Sequence, residues 1–127
     1  MTETKDSKKI LLVDDEEGLA ELLRDLLEMD GYTVVIAHNG EEALEKLNEF
    51  KADVIISDIK MPRMNGFEMF KHIKASPATA SIPVLFISGH RDINVLEEAR
   101  KLGVFGILEK PVDMEKIQRK LQELLKT

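Results

Sequence analysis

Short apolar runs alternate with amphipathic segments along this chain. Five runs, at residues 10–13, 33–37, 54–57, 84–87 and 107–108, are rich in Val, Ile and Leu. Most of them lack polar alternation, which is typical of strands buried on both faces of a parallel sheet. Apolar residues at helical spacing lie between and after these runs. They are clearest in the first such segment, with Leu19, Leu22, Leu23, Leu26 and Leu27.

Boundary signals separate these segments into five helices. Gly31 is expected to end the first helix, and Asn39 to cap the second. The third helix is predicted from Gly66 to about Ala75, and two prolines mark residues 76–83 as a loop. Asp92 is expected to cap a fourth helix with its inner face formed by Val95, Leu96, Ala99 and Leu102. The fifth helix carries Met114, Ile117, Leu121 and Leu124.

Strand and helix therefore alternate five times, which predicts an α/β fold with a parallel sheet between two layers of helices. Right-handed crossovers place the carboxyl end of every strand at the same edge of the sheet. Ligands of open α/β sheets bind beyond those carboxyl ends. We expect the chemistry of this chain to lie at that edge.

Length and composition limit the classes of protein that fit. The 127 residues suit one domain, with residues 1–8 as a polar tail and 9–127 as the folded part. Cysteine is absent, which excludes thiolate metal sites and a cysteine nucleophile and suits a cytoplasmic location. The net charge of −6 argues against direct nucleic-acid binding, and no apolar run approaches the length of a membrane span.

The strand ends supply three carboxylates, a hydroxyl and an ammonium group, from Asp14, Asp15, Asp58, Ser88 and Lys110. Two like charges about 4 Å apart repel by roughly 4 kcal/mol at an effective dielectric near 20. Lys110 supplies one positive charge, and the remaining negative charge calls for a divalent metal. Oxygen ligands favour Mg²⁺, with Mn²⁺ possible, over zinc.

An aspartate at such a site can accept a phosphoryl group. In this interpretation Asp58 is the nucleophile, while Lys110 and the Ser88 hydroxyl contact phosphoryl oxygens. The simpler interpretation of Asp58 alone is that it caps a turn. The other residues gathered at the same edge favour the phosphoryl chemistry.

These motifs resemble those of response regulator receiver domains of two-component signalling, in particular the single-domain chemotaxis regulators. The resemblance covers about residues 9–126 and rests on four features in order. They are the acidic pair Asp14-Asp15, Asp58 followed by x-x-Met-Pro-x-Met-x-Gly, Ser88 after the fourth strand, and Lys110-Pro111 after the fifth. The resemblance implies a flavodoxin-like (βα)5 three-layer sandwich with strand order 2-1-3-4-5.

The resemblance also implies a function and a set of site residues. Asp58 would take a phosphoryl group from a histidine kinase or a histidine phosphotransfer protein. Asp15, Asp58 and the backbone carbonyl of Lys60 would hold Mg²⁺, with Asp14 acting through water. The Lys110-Pro111 peptide bond is expected to be cis. Such a protein catalyses only its own phosphorylation and dephosphorylation, and is expected to be a monomer or weak homodimer.

Phosphorylation would then alter binding of a downstream protein through the face formed by the fourth helix, the fifth strand and the fifth helix. This chain has Ile107 where the family usually has Tyr or Phe, which affects the aromatic part of that switch. Phe105 is either an exposed docking residue or part of the packing under the fourth helix. Lys60 and His90 lie two residues beyond Asp58 and Ser88, where they could set the lifetime of the phosphoryl group.

Three alternative interpretations fit the sequence less well. A degenerate receiver would bind partners without phosphorylation, but no key residue is missing. A phosphatase of the haloacid dehalogenase type would need Asp-x-Asp, whereas the chain has Asp58-Ile59-Lys60. A flavodoxin-like flavin binder would need a phosphate-binding loop after the first strand, where four consecutive acidic residues would repel phosphate.

Overall fold

The structure, a computed structural model, describes residues 7–89, 93–104, 106–110 and 113–125. Strands and helices alternate through these residues, as the sequence predicts. The strands are β1 (Lys9–Val13), β2 (Thr33–Ala37), β3 (Val54–Asp58), β4 (Val84–Ser88) and β5 (Gly106–Glu109). The helices are α1 (Glu17–Met29), α2 (Gly40–Lys46), α3 (Gly66–Ala75), α4 (Ile93–Leu102) and α5 (Met114–Leu124).

The five strands form one parallel sheet in the order β2-β1-β3-β4-β5. This result confirms the predicted fold class and strand order. β1 and β3 are central and adjacent, with Val13 beside Ser57. β3 and β4 are also adjacent, with Asp58 beside Ile87. The ends of β1, β3 and β4 therefore lie next to one another at one edge.

Helices cover both faces of the sheet, which explains why the strands lack polar alternation. One core layer contains Leu11, Val13 and Ile55 of the sheet with buried residues of α2, α3 and α4. The opposite layer contains the alternate strand residues, such as Ile10 and Leu12, with buried residues of α1 and α5. Each strand is thus anchored from both sides.

Several helix boundaries follow the predicted signals. The Asn39 side chain accepts a hydrogen bond from the Glu42 amide at 2.8 Å and caps α2. Gly31 has φ 99°, a left-handed conformation that favours glycine, and it follows the C-cap residue of α1. α3 begins with a capping box in which Asn65 and Glu68 satisfy each other's amides. Asp92 and Phe105 lie outside the described residues.

The inner faces of α1 and α4 differ from the prediction at two leucines. Leu22 is 55% exposed and Leu96 is 49% exposed. A helix that packs on a flat sheet buries a narrow stripe, and on α1 this stripe consists of Ala20, Leu23 and Leu27. Leucine spacing alone therefore overestimated the width of the buried face.

Candidate functional site

The carboxyl edge of the sheet brings together Asp14, Asp58, Ser88 and Lys110, as the topology predicts. Asp14 directly follows β1, Asp58 ends β3 and Ser88 ends β4. Lys110 directly follows β5, and its backbone amide donates a hydrogen bond to the Ser88 carbonyl at 2.9 Å. This bond extends the pairing of β4 with β5 by one residue and fixes where the Lys110 side chain starts.

The Lys110 ammonium lies among three carboxylates. Its Nζ is 3.0 Å from Asp58 Oδ2, 3.2 Å from Glu16 Oε1 and 3.9 Å from Asp14 Oδ2. Burial alone would lower the pKa of Lys110. The hydrogen bond to Asp58 and the charges of Asp14 and Asp58 together outweigh that effect and raise the pKa. Lys110 therefore stays protonated at neutral pH.

Asp14 is the buried member of the acidic pair. Only 4% of the residue is exposed, and its Oδ1 accepts a hydrogen bond from the Glu16 amide at 2.9 Å. Burial raises the pKa of Asp14 above its usual value of 3.8, although that hydrogen bond and Lys110 act in the opposite direction. A cation close to Asp14 would stabilise its charged form.

Asp58 presents its carboxylate at the sheet edge. Its side chain is 11% exposed, and its Oδ1 accepts a hydrogen bond from the Ile59 amide at 2.7 Å. The buried Ser57 hydroxyl donates to the Asp58 carbonyl oxygen at 2.7 Å. The strand end and these two bonds orient Asp58 towards the cluster.

The loop after Asp58 returns closely over the end of β3. The Gly66 amide donates to the Ile59 carbonyl at 2.8 Å. A Cβ atom at Gly66 would lie 2.6 Å from the Asp58 carbonyl oxygen and 2.8 Å from Phe86 Cε1. Only glycine fits this approach without movement of its neighbours. Within the same loop Arg63 has φ 68°, a left-handed conformation that is unfavourable for a residue with a side chain.

Three carboxylates could hold a metal ion. Oxygens of Asp14, Glu16 and Asp58 lie within 4.8 Å of one another. All are hard oxygen donors, and together they carry more negative charge than the single Lys110 ammonium balances, so Mg²⁺ fits this donor set.

The structure includes Glu16 in this group, whereas the receiver motif assigns Asp15. Asp15 is exposed and is not a member of the group. Glu16 belongs to none of the four receiver motifs. Its place at the N-cap of α1, three residues after β1 ends, is the signal in the sequence that could have indicated a site role.

The remaining predicted residues occupy varied positions. Ser88 is 5% exposed at the end of β4, and Lys60 is exposed two residues beyond Asp58. Ile107 is partly buried and packs against the core layer that contains Phe86 and Ala99. His90 and Pro111 lie outside the described residues, so the modulating role of His90 and the cis bond remain predictions.

The parallel sheet with an acidic cluster at its carboxyl edge defines a class of α/β proteins suited to metal and phosphate chemistry. Comparison with known proteins narrows this class. The family model of the response regulator receiver domain matches residues 10–122, so the chain belongs to that family. This membership agrees with the motifs and separates the chain from the phosphatase and flavin-binding alternatives.

Relatives of the chain include transcriptional regulatory proteins. The chain is 39% identical to the transcriptional regulatory protein GlrR of Escherichia coli over 117 residues, which cover 91% of this chain and 26% of that protein. It is 36% identical to the transcriptional regulatory protein CrdR of Helicobacter pylori, covering 91% of this chain and 54% of that protein. The chain thus spans about a quarter to a half of the length of these relatives.

Solved structures show the same fold over nearly the whole chain. The chemotaxis response regulator CheY4 of Vibrio cholerae is 33% identical with a TM-score of 0.85, covering 93% of this chain and 98% of that one. A putative response regulator from Chloroflexus aurantiacus is 28% identical with a TM-score of 0.89, covering 96% of this chain and 100% of that one.

None of the helices in the described residues has the length and apolar character of a membrane span.

Proposed function

We propose that this receiver domain accepts a phosphoryl group on Asp58 and that Mg²⁺ is required for the reaction. The observation that carries this proposal is the position of the Asp58 carboxylate, at a strand end and 3.0 Å from the Lys110 ammonium. Family membership supports a histidine kinase or a histidine phosphotransfer protein as the donor, and a downstream protein as the target. The protein would act as a regulatory phosphoacceptor with no other substrate.

In the proposed reaction a carboxylate oxygen of Asp58 attacks the phosphorus of a phosphohistidine. The P–N bond breaks, the freed ring nitrogen takes a proton from solvent, and Asp58 carries an acyl phosphate. Water later hydrolyses this acyl phosphate to aspartate and inorganic phosphate. Lys110, whose ammonium contacts Asp58, would neutralise one phosphoryl oxygen, and the Ser88 hydroxyl would donate a hydrogen bond to another.

Acetyl phosphate with Mg²⁺ provides the direct test of phosphoacceptance. We expect mass spectrometry to show one acid-stable, base-labile phosphoryl group on the wild-type protein and none on Asp58→Asn. Asp25→Asn removes an exposed carboxylate of α1 and serves as the matched control, which should label normally. Equal labelling of Asp58→Asn and the wild type would show that another residue is phosphorylated. An unlabelled wild type would favour a degenerate receiver.

We infer that Asp14, Asp15, Asp58 and the Lys60 carbonyl hold Mg²⁺, as the family motif assigns them. When bound, Mg²⁺ supplies positive charge that offsets the phosphoryl oxygens. A ligand that binds the native state raises its stability by RT ln(1 + [L]/Kd). Thermal unfolding should therefore shift upwards in millimolar Mg²⁺, and Asp15→Ala should remove most of the shift. A full shift in that variant would exclude Asp15 as a ligand.

We also propose that phosphorylation acts on partners through α4, β5 and α5. Ser88 and Lys110 link the site to this face, while Ile107 lacks the aromatic ring that usually takes part. A modification shifts an equilibrium only by its differential free energy between the two states. Ile107 should therefore couple the site to α4 less strongly than a tyrosine would.

Beryllofluoride, a mimic of the phosphoryl group, allows this coupling to be measured by amide NMR. Resonances near Asp58, Ser88 and Lys110 should respond strongly in the wild-type protein. Those of α4 should respond less than in Ile107→Tyr. A larger distal response in the wild type would assign the switch to another residue, such as Phe105.

A further inference from the structure

Glu16 contacts the same ammonium group as the proposed phosphoacceptor. Its Oε1 lies 3.2 Å from Lys110 Nζ, which also contacts Asp58 Oδ2 at 3.0 Å. Unlike Asp14 and Asp58, the Glu16 side chain is mostly exposed, with 64% accessible, so it lies at the mouth of the cluster. An incoming phosphodonor must approach both Lys110 and this carboxylate.

We propose that Glu16 is a positioning residue that selects phosphodonors by their charge. In the unphosphorylated protein its carboxylate holds the Lys110 ammonium, and its negative charge disfavours small, strongly anionic donors. This inference rests on the proposed phosphoacceptance by Asp58. It assigns to Glu16 a specificity role that the four receiver motifs of this sequence do not include.

Two consequences follow from removing the charge of Glu16, and they have opposite signs. A less negative cluster should bind Mg²⁺ more weakly. At saturating Mg²⁺ the same change should speed reaction with an anionic donor, because one repulsive charge is gone and Lys110 contacts fewer carboxylates. A residue that only maintained the fold would weaken both properties when substituted.

The size of the effect follows from the geometry. We take the distance between Glu16 and a donor that has reached Asp58 as that between the two carboxylates, whose oxygens lie within 4.8 Å of each other. Repulsion between two unit charges at that separation in water corresponds to a factor of about four in rate or affinity. The high exposure of Glu16 makes water the appropriate reference. The factor should shrink as ionic strength increases, since exposed charges are screened.

Glu16→Gln is the informative substitution, because it removes the charge and retains the shape. Glu17→Gln makes the same change in net charge one residue further on, at an exposed position in the first turn of α1. Glu16→Asp retains the charge and tests rescue. Initial rates of labelling are measured at saturating Mg²⁺ with acetyl phosphate and with phosphoramidate, whose protonated amino group lowers its net negative charge. Calorimetric titration with Mg²⁺ alone gives the affinity.

We expect Glu16→Gln to react about fourfold faster with acetyl phosphate, to gain less with phosphoramidate, and to bind Mg²⁺ a few-fold more weakly. The rate gain should decline in high salt. Glu17→Gln should match the wild type, and Glu16→Asp should lie close to it. Equal rates for Glu16→Gln and Glu17→Gln, or parallel loss of rate and Mg²⁺ affinity, would overturn the inference. Failure of the wild type to be labelled on Asp58 would instead overturn the proposed function.

Discussion

Gly66 offers a sharp test of how tightly the loop after Asp58 is packed against β3. Gly66→Ala would place a Cβ 2.6 Å from the Asp58 carbonyl oxygen, 2.8 Å from Phe86 Cε1 and 3.0 Å from Ile59 Cα. Two of these atoms are backbone, and Phe86 is held in the core by edge-to-face contact with Phe67 at 5.4 Å between ring centroids. None of the three is the end of a flexible chain.

The expected loss of stability combines two opposing effects. Overpacking of a close-packed region costs about 1–3 kcal/mol. Alanine in place of a helical glycine regains about 0.5–1 kcal/mol. The difference between these ranges is about 0–2.5 kcal/mol, so Gly66→Ala should lower the free energy of unfolding by an amount near the middle, about 1 kcal/mol. It should also slow phosphorylation, because relief of the clash moves the backbone of Asp58.

Gly18→Ala is the matched control within α1. A Cβ there would meet nothing within 4 Å, so only the gain from replacing glycine applies. Urea unfolding followed by circular dichroism suits both variants, because the chain contains no tryptophan. Gly18→Ala should be more stable than the wild type, and Gly66→Ala less stable. The packing argument is wrong if Gly66→Ala equals or exceeds Gly18→Ala in stability.

Three further predictions test the charges and backbone of the site. Burial raises the pKa of Asp14, so the folded state binds the proton of this carboxyl group more tightly than the unfolded state does. The contribution of Asp14 to stability therefore falls as pH rises through that pKa. Asp14→Asn should therefore melt higher than the wild type at neutral pH without Mg²⁺; a lower melting temperature would refute this. Arg63→Asn should raise the free energy of unfolding, measured in urea, by about 0.5–1 kcal/mol, because asparagine tolerates φ 68° better than arginine. The exposed ion pair with Glu41 that is lost contributes little. Unchanged or lower stability would contradict this prediction. Lys60→Ala should change the decay rate of the acyl phosphate several-fold without loss of stability, and unchanged decay would show that Lys60 is merely solvated.

The fold could be predicted from sequence because each strand is buried on both faces. Residues such as Ile10, Leu11 and Leu12 contact alternate helix layers, so the strand appears in sequence as an uninterrupted apolar run. Turn and cap residues then set the helix ends. The strand order was not contained in this pattern, because periodicity does not specify which strands pair; it followed from the resemblance to a known family.

The exposure of Leu22 could not be predicted in the same way. Leucine is compatible with both the buried stripe and the flank of an amphipathic helix, and the sequence does not state how broad a surface the helix contacts. Ala20 is fully buried on α1, but an alanine is not distinctive in the sequence because small residues carry a weak periodic signal. The packed surface thus depends on tertiary geometry that the leucine pattern only approximates.

Glu16 shows which part of the candidate site the sequence could not predict. Sequence order places carboxylates after strands, but it does not specify which side chains turn towards Lys110. The Asp14 side chain accepts a hydrogen bond from the Glu16 amide at 2.9 Å, and this bond forms part of the tight turn from β1 into α1. The turn brings Glu16 beside Lys110, while the intervening Asp15 is exposed. The acidic cluster is therefore determined by a local hydrogen bond between backbone and side chain, and not by the acidic pair alone.

The position of Lys110 also bears on how a receiver with Ile107 could transmit a signal. The Lys110 amide is bonded to the Ser88 carbonyl, so the two groups proposed to contact the phosphoryl oxygens are joined through the main chain. Ile107 lies three residues before Lys110 on β5 and packs beside Phe86 in the core. A change at Ser88 or Lys110 would therefore reach Ile107 through the β4–β5 pairing, without a phenolic hydroxyl.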